Sequence, residues 1–309
     1  MKENILDNIM KSSIETMIIK SSSDTKLKKL KTKHENKIHF IPIKYRVFGG
    51  IIQSMNIQFG NFIEEAIHQI LLVNKNIEII EAYSGKRSNK FYISKKTENL
   101  IDTYITDCEI GLYKEDELKY KYNELLDRIV FNEKSEKLET IKFKHDVDVL
   151  FKDKSTGITY YVEIKYNDDH DTGKFVDINR KLLKTYAYLV RELKIYNRSL
   201  FKPILFYFTK KRMKGNIYIP EDEIYRGNRF FEKYTTINYS DLENYMLNIS
   251  EDKETIQQFN DMYNKIINDN SYSYDKNIDI TCIKENEYED YKWWLLKKGN
   301  ICQEERKNI

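Results

Sequence analysis

Proline is scarce in this chain and so is glycine, with 3 and 10 among 309 residues, which leaves little scope for long disordered linkers. The 3 cysteines, Cys108, Cys282 and Cys302, are odd in number, far apart and without metal-type spacing, which fits a reducing cytosol better than a disulfide scaffold. No apolar run approaches a membrane span, and Met1-Lys2-Glu3-Asn4-Ile5 is no secretory signal, so a soluble intracellular protein is expected. Several catalytic signatures are missing too: no G-x-x-x-x-G-K-[ST] loop, no G-x-S-x-G elbow, no H-E-x-x-H and no paired C-x-x-C.

What is present is a globular composition, 40% hydrophobic and 33% charged, with charge unevenly spread on a net of +3. From Asp171 to Tyr234 there are fifteen Lys/Arg against seven Asp/Glu, so the rest of the chain is net negative. A second run, Lys20 to Arg46, has nine Lys/Arg against two acids. Two such segments suggest a polyanion-binding surface, with solvated helix faces or loops as the alternative.

Hydrophobic spacing predicts helices over residues 3–19, 55–72, 115–130 and 175–193, and short strands at 77–83, 91–93 and 200–208. Lysine-rich residues 26–37 follow the first helix, and residues 210–240 alternate basic and aromatic groups. The net-acidic tail, 250–309, is expected to be helical, with Trp293 and Trp294 near its end.

The most informative stretches are His145-Asp146-Val147-Asp148-Val149-Leu150-Phe151 and Tyr160-Tyr161-Val162-Glu163-Ile164-Lys165. Both alternate with the period of a strand, and Asp153-Lys154-Ser155-Thr156-Gly157 between them reads as a turn. A turn centred near Ser155 and Thr156 sets Asp148 opposite Glu163, and alternation puts Asp148, Glu163 and Lys165 on one face. Two carboxylates and an ammonium in an apolar sheet need compensation, which a divalent metal would supply. Hard oxygen ligands suit Mg²⁺, and phosphodiester hydrolysis needs an activated water with charge stabilisation at phosphorus. Asp148, Glu163 and the Ile164 carbonyl would be the ligands, and Lys165 would hold the water and offset negative charge. Asp146 competes with Asp148, as a residue near substrate or a second metal, or as a plain exposed strand residue.

This pattern, Asp148, fourteen intervening residues, then Glu163-Ile164-Lys165, resembles the signature of the PD-(D/E)xK nuclease superfamily, without its usual proline. That superfamily typically adds a glutamate on the preceding helix, and Gly60-Asn61-Phe62-Ile63-Glu64 offers Glu64, with Glu65 the adjacent competitor and a solvent-facing glutamate the plain alternative. With residues 166–181, Lys211–Pro220 and Ile224–Phe231, the chain resembles type II restriction endonucleases of the TdeIII-like, HinfI-related family, over residues 48–250.

The resemblance implies an α/β restriction-endonuclease-like core, a central mixed β-sheet flanked by helices. An N-terminal helical and basic arm (1–47), a nuclease core (48–250) containing a DNA-recognition segment (210–240) and a C-terminal helical extension (251–309) would compose it. It also implies Mg²⁺-dependent cleavage of double-stranded DNA at a short, partly palindromic site such as GGNCC. A homodimer and a cognate DNA methyltransferase acting on the same site are implied partners, in a bacterial or archaeal cytoplasm. Another nuclease of the superfamily, or an inactive DNA-binding module, is the rival reading.

Candidate DNA contacts follow from side-chain chemistry. Asn179, Arg180, Lys181 and Lys184 are read as lying off the apolar stripe of their helix, facing phosphates, and Lys174 is a further candidate DNA contact. Lys211, Arg212, Lys214, Asn216, Arg226, Asn228 and Arg229 are candidates for base reading, with a solvated basic loop as the alternative. In Asp168-Asp169-His170-Asp171 a second metal site competes with an ordinary acidic turn whose Asp171 or Thr172 caps the next helix. His170 is a further candidate base.

Overall fold

The computed structural model describes residues 2–35, 37–135 and 139–269. Cys282, Cys302, Trp293 and Trp294 lie outside the described residues, as does most of the predicted helical tail. Among the described residues no helix is long and apolar enough to cross a membrane.

The chain divides into two compact units. The first comprises residues up to Ser23 together with Ile51–Phe259; the second comprises Asp24–Gly50 and the chain from Asn260. The first helix therefore groups with the core unit, not with the lysine-rich segment that follows it in sequence.

In order, the elements are α1 (Lys2–Ser21), α2 (Asp24–Glu35), α3 (Ile43–Leu72), β1 (Ile77–Ile79), β2 (Gly85–Ser94), α4 (Lys95–Glu109), α5 (Glu115–Glu133), β3 (Thr140–Val147), β4 (Val149–Asp153), β5 (Thr159–Lys165), α6 (Thr172–Leu193), β6 (Phe201–Tyr207), β7 (Ile224–Arg226), α7 (Gly227–Tyr234), α8 (Tyr239–Ser250) and α9 (Lys253–Ile267). The central sheet has the order β1-β4-β5-β6-β7; β1/β4 and β4/β5 are antiparallel, β5/β6 and β6/β7 parallel. This is the mixed α/β architecture expected.

Why β5 is buried nearly end to end follows from what covers it. One face meets α6, whose Leu182, Tyr186 and Leu189 share a core with Tyr161 of β5 and Leu205 of β6. On the opposite face, Phe206 stacks on Phe230 of α7 at 4.2 Å, and Tyr160 meets Tyr234 edge-on at 5.1 Å. Each such large side chain contributes about 1.5–3 kcal/mol on burial. A strand sandwiched this way has no solvent side, so any charge on it needs a partner inside the protein.

The hairpin differs from the sequence reading in one respect. His145–Phe151 is not one strand: the chain bends at Asp148, and β3 pairs with β2 in a separate two-stranded ribbon. That ribbon seats Phe91 against Tyr188 of α6, rings stacked at 4.0 Å. Beyond the bend, β4 pairs with β5 in the register Val149 opposite Val162, which continues to Asp148 beside Glu163. The turn closes with Gly157 N–H donating to the Asp153 carbonyl, at a φ of +72° that a residue without Cβ adopts readily.

Helix α4 adds an element to those read from spacing. Its stripe of Thr97, Ile101, Tyr104, Ile105 and Cys108 is buried, and the Ser94 hydroxyl caps its start by accepting from Thr97 N–H. Both signals are legible in the sequence. At the end of α5, buried Glu133 accepts from Ser94 N–H at 3.0 Å and from Arg191 Nε at 2.6 Å, tying α5 to β2 and α6.

Candidate active site

Asp148, Glu163 and Lys165 come together at the carboxyl end of β5. The Lys165 ammonium lies 2.6 Å from Glu163 Oε1, 3.6 Å from Asp148 Oδ2 and 2.6 Å from the Ile164 carbonyl oxygen, to which it donates. These are the three oxygens assigned to a cation from the sequence, and here they converge on one. Asp148 is anchored by the Ile164 N–H, which donates to Oδ2 at 2.8 Å. Glu163 Oε2 accepts from the Tyr161 hydroxyl at 2.7 Å. Tyr161 was absent from the candidate residues, although its place two residues before Glu163 puts it on the same strand face.

Electrostatics separate the two acids. Burial alone would raise the Glu163 carboxyl, but the ammoniums of Lys165 and Lys181 overcome it and hold it at about 2. Asp148 goes the other way: burial and the Glu163 charge raise it, against the pull of Lys165 and Lys181. Burial opposes the Lys165 charge, yet Glu163 and Asp148 outweigh it and keep the amine protonated. A buried acid raised by burial and by a neighbouring carboxylate, beside hard oxygens already gathered around a cation, fits a divalent metal. Among the described residues no group of three or more His, Cys, Asp or Glu side chains is placed to hold a metal. The oxygens that could hold a divalent ion here are those of two carboxylates and a backbone carbonyl.

Beside Asp148 opens a cavity of about 550 Å³, lined among others by Glu64, Glu65, Asp146, Asp148 and Lys181. Both helix glutamates border it. Glu65 accepts from Gln69 at 2.8 Å, whereas Glu64 is near enough for its charge to act on Lys165. Asp146, on β3 before the bend at Asp148, shares the cavity.

The remaining candidates scatter. Asn179 is fully buried, donating to the Phe175 carbonyl and accepting from Asn216, so the reading that set it on the outer face is corrected: the apolar stripe of α6 is wide enough to take it in. Lys181 also turns inward, 2.8 Å from Glu163 Oε1 and 3.7 Å from Asp148 Oδ1. Arg180 pairs with Asp102 at 2.8 Å and Lys184 with Glu98 at 2.6 Å. Arg226 is largely buried between Asp168 and Glu221, and Arg229 donates to the carbonyls of Ile224 and Asp222. Asn216 accepts from the backbone N–H groups of Tyr218 and Ile219. Lys174, Lys211, Arg212, Lys214 and Asn228 are exposed.

The acidic turn resolves into structural parts. Asp171 caps α6 by accepting from Lys174 N–H at 2.8 Å. Asp168 is fully buried, accepting from Met213 N–H and Gly215 N–H at 2.9 Å each and pairing with Arg226 at 3.1 Å. It pins the basic loop to the end of β5, with Gly215 in a left-handed conformation at φ +84°. Burial and the Lys174 and Lys165 charges lower the His170 imidazole, so a neutral ring stands near neutral pH.

The sequence matches the family described as "Type II restriction endonuclease, HinfI" over residues 1–250. It is 48% identical over 263 residues, 85% of this chain and 97% of the relative, to the type II restriction enzyme HinfI of Haemophilus influenzae. No solved structure matches. The family match begins at residue 1, so the first 47 residues, placed outside the resemblance, fall within it. The chain belongs to the HinfI family of type II restriction endonucleases.

Proposed function

We propose that this enzyme cuts double-stranded DNA at a short, partly palindromic site, with Mg²⁺ held by Asp148, Glu163 and the Ile164 carbonyl. The single observation that carries the reading is the convergence of those three oxygens on one cation beside an open cavity. Bound Mg²⁺ supplies a Lewis acid that polarises the phosphate and lowers the pKa of water.

The chain's own residues do the rest. Glu163 stays ionised at neutral pH and offers acceptor oxygens only. Lys165 orients the attacking water and offsets the negative charge that grows on the phosphoryl oxygens. Glu64, across the cavity, is proposed as a further site residue, with Asp146 beside substrate. Exposed Lys174, Lys211, Arg212, Lys214 and Asn228 are the proposed DNA contacts. A homodimer, a methyltransferase reading the same site and a cytoplasmic setting complete the proposal, since two identical sites cut both strands of a two-fold sequence most simply.

Digestion of a plasmid of known sequence tests this. Discrete bands in Mg²⁺, with ends that map to one short sequence, are expected, and a chelator should abolish cutting while leaving DNA binding. Random degradation would point to another nuclease of the superfamily. Binding without cleavage in any divalent ion would point to an inactive module.

A further inference from the structure

We infer that Lys181 is a second catalytic lysine, whose ammonium contacts the scissile phosphodiester while Lys165 serves the water. The inference rests on the nuclease reading of the site.

Helix α6 carries a row of cations, and three of them face away from the sheet. Arg180 pairs with Asp102, Lys184 with Glu98 and Arg191 with Glu133, all acids of α4 or α5. Lys181 follows Arg180 by one position, about 100° around the helix, and that rotation aims it at the end of β5. There it meets both carboxylates that Lys165 meets. Lys165 approaches Asp148 Oδ2 at 3.6 Å, and Lys181 approaches Oδ1 at 3.7 Å, while both close on Glu163 Oε1.

The two lysines differ in what else they reach. Lys165 is tied back to the Ile164 carbonyl, and it does not border the cavity. Lys181 does border it, although the two side chains are about equally exposed, 23% against 20%. The other charged groups on that wall include Glu64, Glu65, Glu81, Asp146 and Asp148, and Lys181 is the one ammonium in the lining among the described residues. A phosphodiester entering a cavity walled by carboxylates is repelled unless a cation meets it.

Formal charge points the same way. Asp148 and Glu163 are balanced by Lys165 and Lys181. The wall adds the carboxylates of Glu64, Glu65, Glu81 and Asp146, so a phosphodiester monoanion is accepted there only with a divalent ion and the Lys181 ammonium together. Without Lys181 the site loses one positive charge at the moment negative charge is greatest.

Lys181→Met keeps the length of the side chain and removes its charge; Lys181→Arg keeps the charge. The readouts are single-turnover cleavage at saturating DNA in Mg²⁺, DNA affinity in Ca²⁺, and Ca²⁺ binding to the protein alone by calorimetry. The methionine variant should cleave at least ~100-fold more slowly. Its DNA affinity should stay within about threefold, because many other phosphate contacts remain. It should bind Ca²⁺ at least as tightly as wild type, since a competing ammonium is gone. Lys181→Arg should recover part of the rate.

Cleavage by Lys181→Met within about tenfold of wild type, or a loss confined to DNA affinity, would overturn the assignment. Weakened Ca²⁺ binding would do so as well, marking Lys181 as a support of the ligands. If the methionine variant does not fold, Lys181→Gln decides by the same criteria. Failure of wild type to cut in Mg²⁺ would instead sink the nuclease reading itself.

Discussion

The backbone N–H of Ile164 holds the carboxylate of Asp148 at 2.8 Å, so an acid from the bend before β4 is fixed to the Glu163-Ile164-Lys165 strand by that strand's own main chain. Position here is set by a peptide group with no side-chain freedom to lose. The Glu163 and Lys165 side chains on either side then complete the cluster.

Replacing Asp148 or Lys165 by Ala should cut turnover by at least ~100-fold, the scale of losing a key electrostatic stabiliser. Glu163→Gln should do the same. Steady-state cleavage with circular dichroism as a folding control checks this; near-wild-type rates in folded variants would reject the assignment.

Glu64 and Glu65 both border the cavity; Glu65 is engaged along its helix by Gln69, whereas the charge of Glu64 reaches Lys165. Glu64→Gln is therefore expected to lower the cleavage rate by roughly 10–100-fold, in the range of residues supporting a metal centre. Glu65→Gln should change it little. Equal effects of the two substitutions would refute the preference for Glu64.

Acid should unfold the enzyme partly through Asp168 and Glu163. Burial raises the Asp168 carboxyl, but the N–H groups of Gly215 and Met213 and the Arg226 guanidinium outweigh it and hold it low. Both acids thus sit below their unfolded values of about 4, and their stabilisation is complete above that pH. It is lost as pH falls through the folded values, down to about 2 for Glu163. Asp168→Ala should cost roughly 3–5 kcal/mol at pH 7 by leaving Arg226 and two N–H groups unmatched. It should also flatten the acid limb of a Tm-against-pH curve, and an unchanged limb would dismiss this role.

DNA affinity should fall steeply with salt as phosphate contacts release counterions. Lys211→Ala and Arg212→Ala, both exposed, are each expected to reduce the slope of log K against log salt by about one. Measured by fluorescence anisotropy, a slope that does not move would remove the loop from the DNA interface.

Period-2 alternation on either side of a turn was enough to place Asp148, Glu163 and Lys165 together, because a hairpin brings residues together through local pairing that the turn itself sets. The same spacing rules marked α1, α3, α5 and α6, and N-cap chemistry anticipated Asp171. Tertiary packing decided the rest. Which face of α6 looks at the sheet, and so whether Lys181 meets phosphates outside or carboxylates inside, depends on α4 and α5 claiming Arg180, Lys184 and Arg191. Likewise the bend that sends β3 to a separate ribbon, and the burial of Asp168 beneath a loop more than forty residues away, come from contacts between segments distant in sequence. Local periodicity fixes what a residue's neighbours in its own element are; only the assembled layers determine which charge it finally faces.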